Sequence, residues 1–260
     1  MTSIMDSKSK RWETTAFCLG LLLTGVLIQT AGWLRGDRLV FPELSEIGGA
    51  LIRLLGTERT WRMIGTTLGH LAEALVLSSL IGIGLGVLEG RFRFLRILLR
   101  PTMTLLRSLP MIVMTVILMV LMNYDQVPVT ATVLMLIPMI SEAACEGFLR
   151  IPPELVDVYR MNSDLTGRVL LRVYLPLMAG YLKQAYVGAV GMGIKLAVTT
   201  EYLVQTRDSL GKAVYTSAYF NEYADIYAYA LIMILLALIL GGLPGLVSRA
   251  AGGDGPGPVS

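Results

Sequence analysis

Long apolar runs separated by short polar segments extend along almost the whole chain. A transmembrane α-helix needs about 20 apolar residues to cross a hydrocarbon layer of about 30 Å, and runs of that length recur six times. The predicted spans are 15–34, 64–88, 102–122, 127–148, 179–204 and 224–247. The pattern therefore predicts an all-α polytopic membrane protein with about six transmembrane helices.

The composition excludes a soluble domain. Of the 260 residues, 54% are hydrophobic and 16% are charged, whereas soluble domains carry about 25% charged residues. Cys18 and Cys145 both lie in or beside apolar runs, and His70 is the only histidine. A disulfide framework or a metal site is therefore not expected. We expect membrane lipid around the chain, no cofactor bound to it and no nucleic-acid partner.

Both ends of the chain lie outside the main group of spans. The run 15–34 resembles a signal peptide, but it is followed by WLRGDR and not by a small-residue cleavage site. We interpret 1–34 as a cytoplasmic N-terminus and a retained first transmembrane helix. Residues 35–63 are expected to form an external segment with an interfacial amphipathic helix. Its apolar residues at helical spacing are Leu44, Ile47, Leu51, Leu54 and Leu55. The Gly/Pro-rich tail 249–260 is expected to be disordered.

The placement of basic residues predicts the orientation. They concentrate in the N-terminus, in the connection 89–100 and in the loop 150–183, which all lie on one side if there are six spans. Because cytoplasmic loops carry the excess of Lys and Arg, both termini are predicted to be cytoplasmic. The opposite side carries a smaller basic group, partly balanced by acidic residues. That group is Arg35, Arg38, Arg53, Arg59 and Arg62.

The connection between the fourth and fifth spans, residues 150–178, has a pattern of its own. It begins IPPELVDVYRM, with prolines suited to a first helical turn. The turn residues NSD follow at 162–164, and then an apolar stripe runs until Pro176. The stripe consists of Leu165, Val169, Leu170 and Val173. This pattern predicts a short helical hairpin on the cytoplasmic face; the alternative is an ordinary solvated loop.

The segment GIGLGVLEGRFRFLRILLRPTMTLLRSLP contains Pro101, Arg107 and Pro110, and the fourth span contains Pro138 with Gly147 at its end. In these features the sequence resembles the inner-membrane permease family of bacterial ABC importers, in the branch that transports nitrate, sulfonates, taurine and riboflavin or thiamine precursors. The resemblance covers about residues 44–248. It implies a permease core over 64–248, in the bacterial inner membrane.

The resemblance also implies a docking loop for an ATPase. In that family a Glu lies nineteen residues before the Pro of Leu-Pro and a Gly thirteen residues before it. Counting from Pro176, these positions hold Asp157 and Ser163. The Glu-Ala-Ala at 142–144 lies thirty-four residues before Pro176, within or at the end of the fourth span, and we interpret it as unrelated to docking. The predicted docking residues are Asp157, Val158, Tyr159, Arg160, Met161, Asn162, Ser163, Asp164, Leu165 and Pro176.

The family resemblance implies the partners and the activity. The expected partners are a second copy of the chain, two cytoplasmic ATPase subunits and an external binding protein. The sequence contains no GxxxxGK[ST] motif, so ATP and Mg²⁺ are expected on the ATPase and no covalent chemistry on this chain. The substrate is expected to be a small anion or a vitamin precursor. The family's Trp-Phe-Gly stretch is replaced by VLMNYDQVP at the end of the third span, which leaves the substrate subgroup open.

Two other functions remain as alternatives. One is a channel or stand-alone secondary transporter without an ATPase, against which the predicted cytoplasmic hairpin argues. The other is a membrane-embedded enzyme, but the sequence has no paired catalytic carboxylates, HExxH motif or nucleophile elbow to support it.

Ionisable residues inside spans are costly and are treated as functional candidates. The predicted translocation path consists of Arg107, Lys195, Thr199, Thr200 and Glu201. A cation at Lys195 would attract an anionic substrate, whereas the alternative for Lys195 and Glu201 is structural pairing. His70 and Glu73 lie three residues apart on the second span. They are either a mutually satisfied pair within the bundle or a second functional group.

Overall fold

The computed structural model describes residues 42–151 and 173–250, together with the isolated positions 20 and 30, and for 242–250 it describes the backbone alone. The other residues of the predicted first span, the docking residues 157–165 and the residues 251–260 lie outside the described part. The predicted positions of both termini on the cytoplasmic side accordingly stay predictions.

Every regular element in the described residues is helical, which confirms the all-α prediction. The helices are α1 Leu44–Leu55, α2 Glu58–Arg91, α3 Arg93–Ser108, α4 Met111–Leu121, α5 Val127–Leu149, α6 Leu175–Val204, α7 Leu210–Tyr219 and α8 Tyr223–Ala250. A single 3₁₀ turn, Tyr124–Gln126, precedes α5. The helix α1 lies where an amphipathic helix was predicted before the second span, and it buries Ile47, Ala50 and Leu54 against the bundle. Its position at the membrane interface on the external side stays a prediction.

Four helices of the described part are long and apolar enough to cross a membrane, namely α2, α5 with its 3₁₀ turn, α6 and α8. The predicted span over 102–122 corresponds to a bent pair of helices and not to one straight helix, because α3 and α4 meet at a bend of 103°. The bend lies at Leu109 and Pro110, which both have extended ψ angles, 125° and 136°. Proline has no N–H to donate and disfavours helical backbone in the residue before it, so the helix stops there.

Glycines set how α2 packs against α5. A Cβ at Gly82 would lie 2.9 Å from the Cβ of Ile140, and a Cβ at Gly86 would lie 2.6 Å from the Cβ of Ala144. Both contacts advance by four residues on each helix, so α2 and α5 run parallel with their backbones in close approach. The bent pair α3–α4 must therefore carry the chain back across the bundle and acts as a fifth crossing.

The helix α5 is the centre of the bundle. In its apolar window 67% of the residues are buried, against 22–44% in the other three spans. On its other side it packs against α6, where Gly147 faces Met178 and Gly188 faces Met139. These contacts run in opposite directions along the two helices, so α6 is antiparallel to α5. The bundle consequently has a loop end, formed by residues 89–96, 147–151 and 173–178, and a far end, formed by residues 53–62 and 201–225.

The short helix α7 at the far end has no counterpart among the predicted elements. It begins after Ser209, whose Oγ accepts a hydrogen bond from the backbone N–H of Lys212 at 3.2 Å. Ser is a preferred N-cap residue because its oxygen satisfies one of the free N–H groups of the first turn. The helix α7 packs on the C-terminal half of α6 and on α8, and so closes the far end of the bundle.

Candidate functional site

The described residues on either side of the predicted docking loop are joined to each other. The ring of Phe148 near the end of α5 stacks on the ring of Tyr174 before α6, with centroids 5.2 Å apart and planes at 14°. Ile151 and Tyr174 are both buried, in a cluster that also includes Val87 of α2 and Met178 of α6. The base of the loop is thus anchored on three helices, so a displacement of the loop would act on all three.

Pro176 is the one predicted docking residue within the described part. It is exposed and lies in the first turn of α6, which begins at Leu175 and so earlier than the predicted span. A proline fits there because the first turn has no partner for its N–H groups. The assignment of 157–165 as the docking segment stays a prediction.

The Glu-Ala-Ala at 142–144 lies within α5 and not in the connection after it. Ala144 is fully buried, and the carboxylate of Glu142 pairs with Arg107 of α3. The Glu-Ala-Ala therefore lies inside the fourth span, and its exclusion from ATPase docking stays a prediction.

Arg107 joins the last turn of α3 to α5. One of its guanidinium nitrogens donates to the backbone carbonyl of Pro138 at 2.8 Å and to the carboxylate of Glu142. Both side chains remain about half exposed, 44% for Arg107 and 55% for Glu142. The bend between α3 and α4 is therefore fixed to α5 by an ion pair that water can reach.

The predicted path residues separate into two faces of α6. Lys195 and Thr199 are exposed, whereas Thr200 and Glu201 are fully buried. The exposed face continues toward the loop end through Gln184, Gly188 and Gly191, at intervals of three to four residues; Gly191 is partly buried. We name the set Gln184, Gly188, Gly191, Lys195 and Thr199 the α6 stripe.

The α6 stripe differs from a lipid-facing surface. No described residue forms an ion pair with the ammonium of Lys195, and the hydroxyl of Thr199 donates to the carbonyl of Lys195 at 2.7 Å. By contrast, the exposed face of α4 is entirely apolar. It consists of Ile112, Val113, Val116, Ile117, Val120 and Leu121.

Glu201 lies in a buried hydrogen-bond network at the far end. Its carboxylate accepts from the hydroxyl of Thr67 at 2.8 Å and from the backbone N–H of Gly211 at 3.2 Å. The Nδ1 atom of His70 lies 2.8 Å from the other carboxylate oxygen. The hydroxyl of Thr67 in turn accepts from the N–H of Leu210 at 3.1 Å. We name Thr67, His70, Glu201, Leu210 and Gly211 the far-end network.

The far-end network buries the carboxylate of Glu201 fully and pairs it structurally, which supports the structural reading of Glu201, while its place on the path stays a prediction. It also corrects the pairing of His70, whose partner is Glu201 and not Glu73. Glu73 is exposed on α2, while His70 is turned toward α6. Thr67 was missed by sequence reasoning, although it lies one helical turn before His70 on the same face of α2.

Gly211 allows the start of α7 to approach α6 closely enough to complete the far-end network. A Cβ on this residue would lie 2.5 Å from the Cβ of Glu201, from the backbone N of Tyr202 and from the backbone O of Val198. The start of α7 therefore touches the backbone of α6 directly, which brings the N–H of Gly211 to the carboxylate. The residues of the described part include no group of three or more His, Cys, Asp or Glu side chains that could hold a metal ion.

Known proteins resemble this chain in sequence pattern and in fold. The family described as "binding-protein-dependent transport system inner membrane component" matches residues 78–251. The MetNI methionine ABC transporter, solved in inward-facing conformations, is 17% identical with a TM-score of 0.59 over 73% of this chain and 96% of that one. A bacterial ABC transporter involved in the import of the acidic polysaccharide alginate is 15% identical with a TM-score of 0.64 over 88% of this chain and 96% of that one. None of the curated protein sequences matches the chain.

The matched residues 78–251 extend from the middle of α2 to the end of α8, so they include the bent pair, the central helix and the α6 stripe. The two solved structures share the fold of this chain at low sequence identity, and they do not indicate its substrate. The match covers well over half of the chain. The chain therefore belongs to the family of binding-protein-dependent transport system inner membrane components, the permeases of ABC importers, and is a multi-pass protein of the inner membrane.

Proposed function

We propose that this permease forms the substrate path of an ATP-driven importer and is driven by separate ATPase subunits that dock on residues 157–165. The observation that carries the proposal is the anchored base of that segment. Phe148 and Tyr174 stack on each other and continue directly into α5 and α6. Movement of a docked ATPase would therefore be transmitted to the central helix and to the helix with the polar stripe.

We place the substrate path along the α6 stripe. An unpaired ammonium within a membrane span costs about 3 kcal/mol when it is inserted into lipid, so Lys195 requires water or a protein partner. A second copy of the chain facing the α6 stripe would enclose a polar path between the two protomers. Arg107 is an additional cation on the exposed side of α3. Glu201 and Thr200, which are buried, act in this proposal as support for α6.

The cation at Lys195 favours an anionic substrate, of the nitrate, sulfonate or taurine type, over a neutral one. A negatively charged vitamin precursor would fit the same requirement. An external binding protein would deliver the substrate at the far end, and ATP with Mg²⁺ would bind to the ATPase subunits at the loop end. This arrangement assigns the loop end to the cytoplasm, in agreement with its arginines.

The docking proposal is tested by co-purification of this chain with a candidate ABC-importer ATPase subunit expressed in the same cells. Asp157→Lys is expected to abolish recovery of the ATPase while the permease still inserts into the membrane. Glu146→Lys is the matched control, because Glu146 is an exposed acidic residue near the same end of the bundle. Glu142→Gln tests whether the Glu-Ala-Ala takes part in docking. Recovery of the ATPase from Asp157→Lys, or its loss from Glu142→Gln alone, would overturn the assigned docking segment.

A further inference from the structure

A charged cleft of about 410 Å³ opens at the far end of the bundle. Its walls come from the end of α1 and the start of α2 on one side, and from α7 and the start of α8 on the other. None of the residues that line it belongs to α6. The cleft is therefore separate from the α6 stripe, and the proposed path does not account for it. Its volume lies at the lower end of the range of small-molecule sites, about 300–1,000 Å³.

Three cations in the cleft have no acidic partner within the described ranges. They are Arg59, Arg207 and Lys212. Lys212 is half-buried, so its ammonium is partly removed from water without the compensation of an ion pair. A fourth cation, Arg53, already pairs with the carboxylate of Asp225, which is 8% exposed. The cleft consequently offers free positive charge that the described residues leave unused.

Acidic side chains limit what the cleft can accept. Asp208 and Glu222 line it and are exposed, while Asp225 is held by Arg53. Four basic side chains thus stand against three acidic ones, which leaves one net positive charge. Such a balance suits a single oxyanion group and disfavours a highly charged polyanion.

The hydroxyl of Ser217 adds a hydrogen-bond donor to the charges of the cleft. Ser217 of α7 is only 4% exposed and lines the cleft. Its hydroxyl has no hydrogen-bond partner among the residues that are described. Because Ser217 lines the cleft, this hydroxyl can donate a hydrogen bond to a ligand oxygen there.

The wall that carries Arg207 and Lys212 is rigid. Gly211 and Leu210 at the start of α7 are held by the far-end network, and Ser209 caps the helix by accepting from the N–H of Lys212. A site whose groups are fixed before binding loses less entropy when a ligand binds.

We propose that this cleft binds the oxyanion of a lipid headgroup or of a small solute, through Arg59, Arg207, Lys212 and the hydroxyl of Ser217. The lipid source is supported by Trp61, which is 58% exposed beside the cleft and donates its indole N–H to the carbonyl of Leu55 at 2.8 Å. Exposed tryptophans are enriched at the depth of lipid headgroups. The group bound is a phosphate, sulfonate or carboxylate in either case.

The test uses the full-length chain in lipid nanodiscs. In the solute arm the discs contain phosphatidylcholine, and sodium sulfate is titrated against sodium chloride at matched ionic strength while thermal unfolding is followed. In the lipid arm, native mass spectrometry counts phosphatidylglycerol retained by the chain from mixed discs. If the site takes a solute, we expect the midpoint of thermal unfolding to rise and saturate as sulfate is added. If it takes a lipid, we expect one phosphatidylglycerol molecule to be retained per chain.

The variants separate a site from general charge. Arg207→Gln combined with Lys212→Gln is expected to weaken binding in the arm that responds by about tenfold or more, since the oxyanion loses two charge-assisted hydrogen bonds. Arg62→Gln is the matched control, because Arg62 lies at the same end but does not line the cleft and is 67% exposed. Lys212→Arg keeps the positive charge and should therefore bind the oxyanion as the unchanged chain does. If the double variant elutes as an aggregate, Arg59→Gln is used in its place. No response in either arm, or an equal loss in Arg62→Gln, would overturn the proposal.

Discussion

Glu201 at the far end and Glu142 in the half of α5 toward the loop end each join helices of this bundle, but the two contacts differ in kind. At the far end, Glu201 is fully buried and its carboxylate accepts hydrogen bonds from α2 and α7. Toward the loop end, Glu142 is 55% exposed and pairs with Arg107 alone. A satisfied buried network is costly to break, whereas an exposed ion pair contributes only about 0–1 kcal/mol.

The difference between the two contacts fits the movement that each end of the bundle would undergo in the proposed transporter. The loop end receives the ATPase, so the helices there must change their relative positions as ATP is bound and hydrolysed. An exposed ion pair can be exchanged for hydration at little cost during such a change. The far end supports α7 and the cleft beside it, which must keep their shape. The contrast between a rigid far end and an adjustable loop end can be tested residue by residue.

Glu201→Ala should produce the largest effect. Removing the carboxylate leaves the hydroxyl of Thr67 and the N–H of Gly211 without their partner in the protein interior. Each unsatisfied buried group costs about 1–3 kcal/mol, so the free energy of unfolding should fall by about 3 kcal/mol or more. Thermal unfolding in nanodiscs measures it, with the exposed Glu73→Ala as control. A decrease of less than about 1 kcal/mol in the free energy of unfolding would show that the far-end network contributes little to stability.

Gly211→Ala should destabilise the same end by a smaller amount. The added methyl group would lie 2.5 Å from backbone atoms of α6, so α7 must move away and the N–H of Gly211 must leave the carboxylate. Overpacking of this kind costs about 1–3 kcal/mol. Gly191→Ala is the matched control, because a Cβ there meets nothing within 4 Å. That control should be neutral or slightly stabilising, since Ala is a better helix former than Gly.

Arg107→Gln and Glu142→Gln test the loop end by a double-mutant cycle on thermal stability. The coupling energy between the two side chains should be at most about 1 kcal/mol, because both are about half exposed to water. The carbonyl of Pro138, which also accepts from Arg107, makes the single change at Arg107 the costlier of the two. A coupling energy as large as the decrease in unfolding free energy caused by Glu201→Ala would show that the two contacts do not differ in strength.

The sequence predicted the parts of the fold that depend on local pattern. The spans α2, α5, α6 and α8 were found because each is a long apolar run. The position of Glu142 within the central helix followed from its distance to Pro176. The helix α7 was missed, since its ten residues mix polar and apolar types over too short a length for a period to emerge.

The far-end network could not be predicted because its partners are distant in sequence. Thr67 and Glu201 are 134 residues apart, and His70 and Glu201 are 131 residues apart. Only the packing of α2 against α6 brings them together, and a single sequence contains no record of that packing. The sequence offered Glu73 as one partner for His70, because the two residues are three apart on one helix face. Tertiary contact therefore overrode a local pairing that the helix geometry allowed.

Lys195 lies between the two ends, and its replacement should have the smallest effect on stability. Lys195→Met removes an exposed ammonium that has no acidic partner among the described residues, so the free energy of unfolding and the recovery of the ATPase should be unchanged. Uptake of the anionic substrate by intact cells should nevertheless fall, because the α6 stripe loses its positive charge. Lys195→Arg keeps the charge and should retain most of the uptake. Reduced stability in Lys195→Met would instead indicate that the ammonium is paired across the dimer, and normal uptake with normal stability would exclude Lys195 from the path.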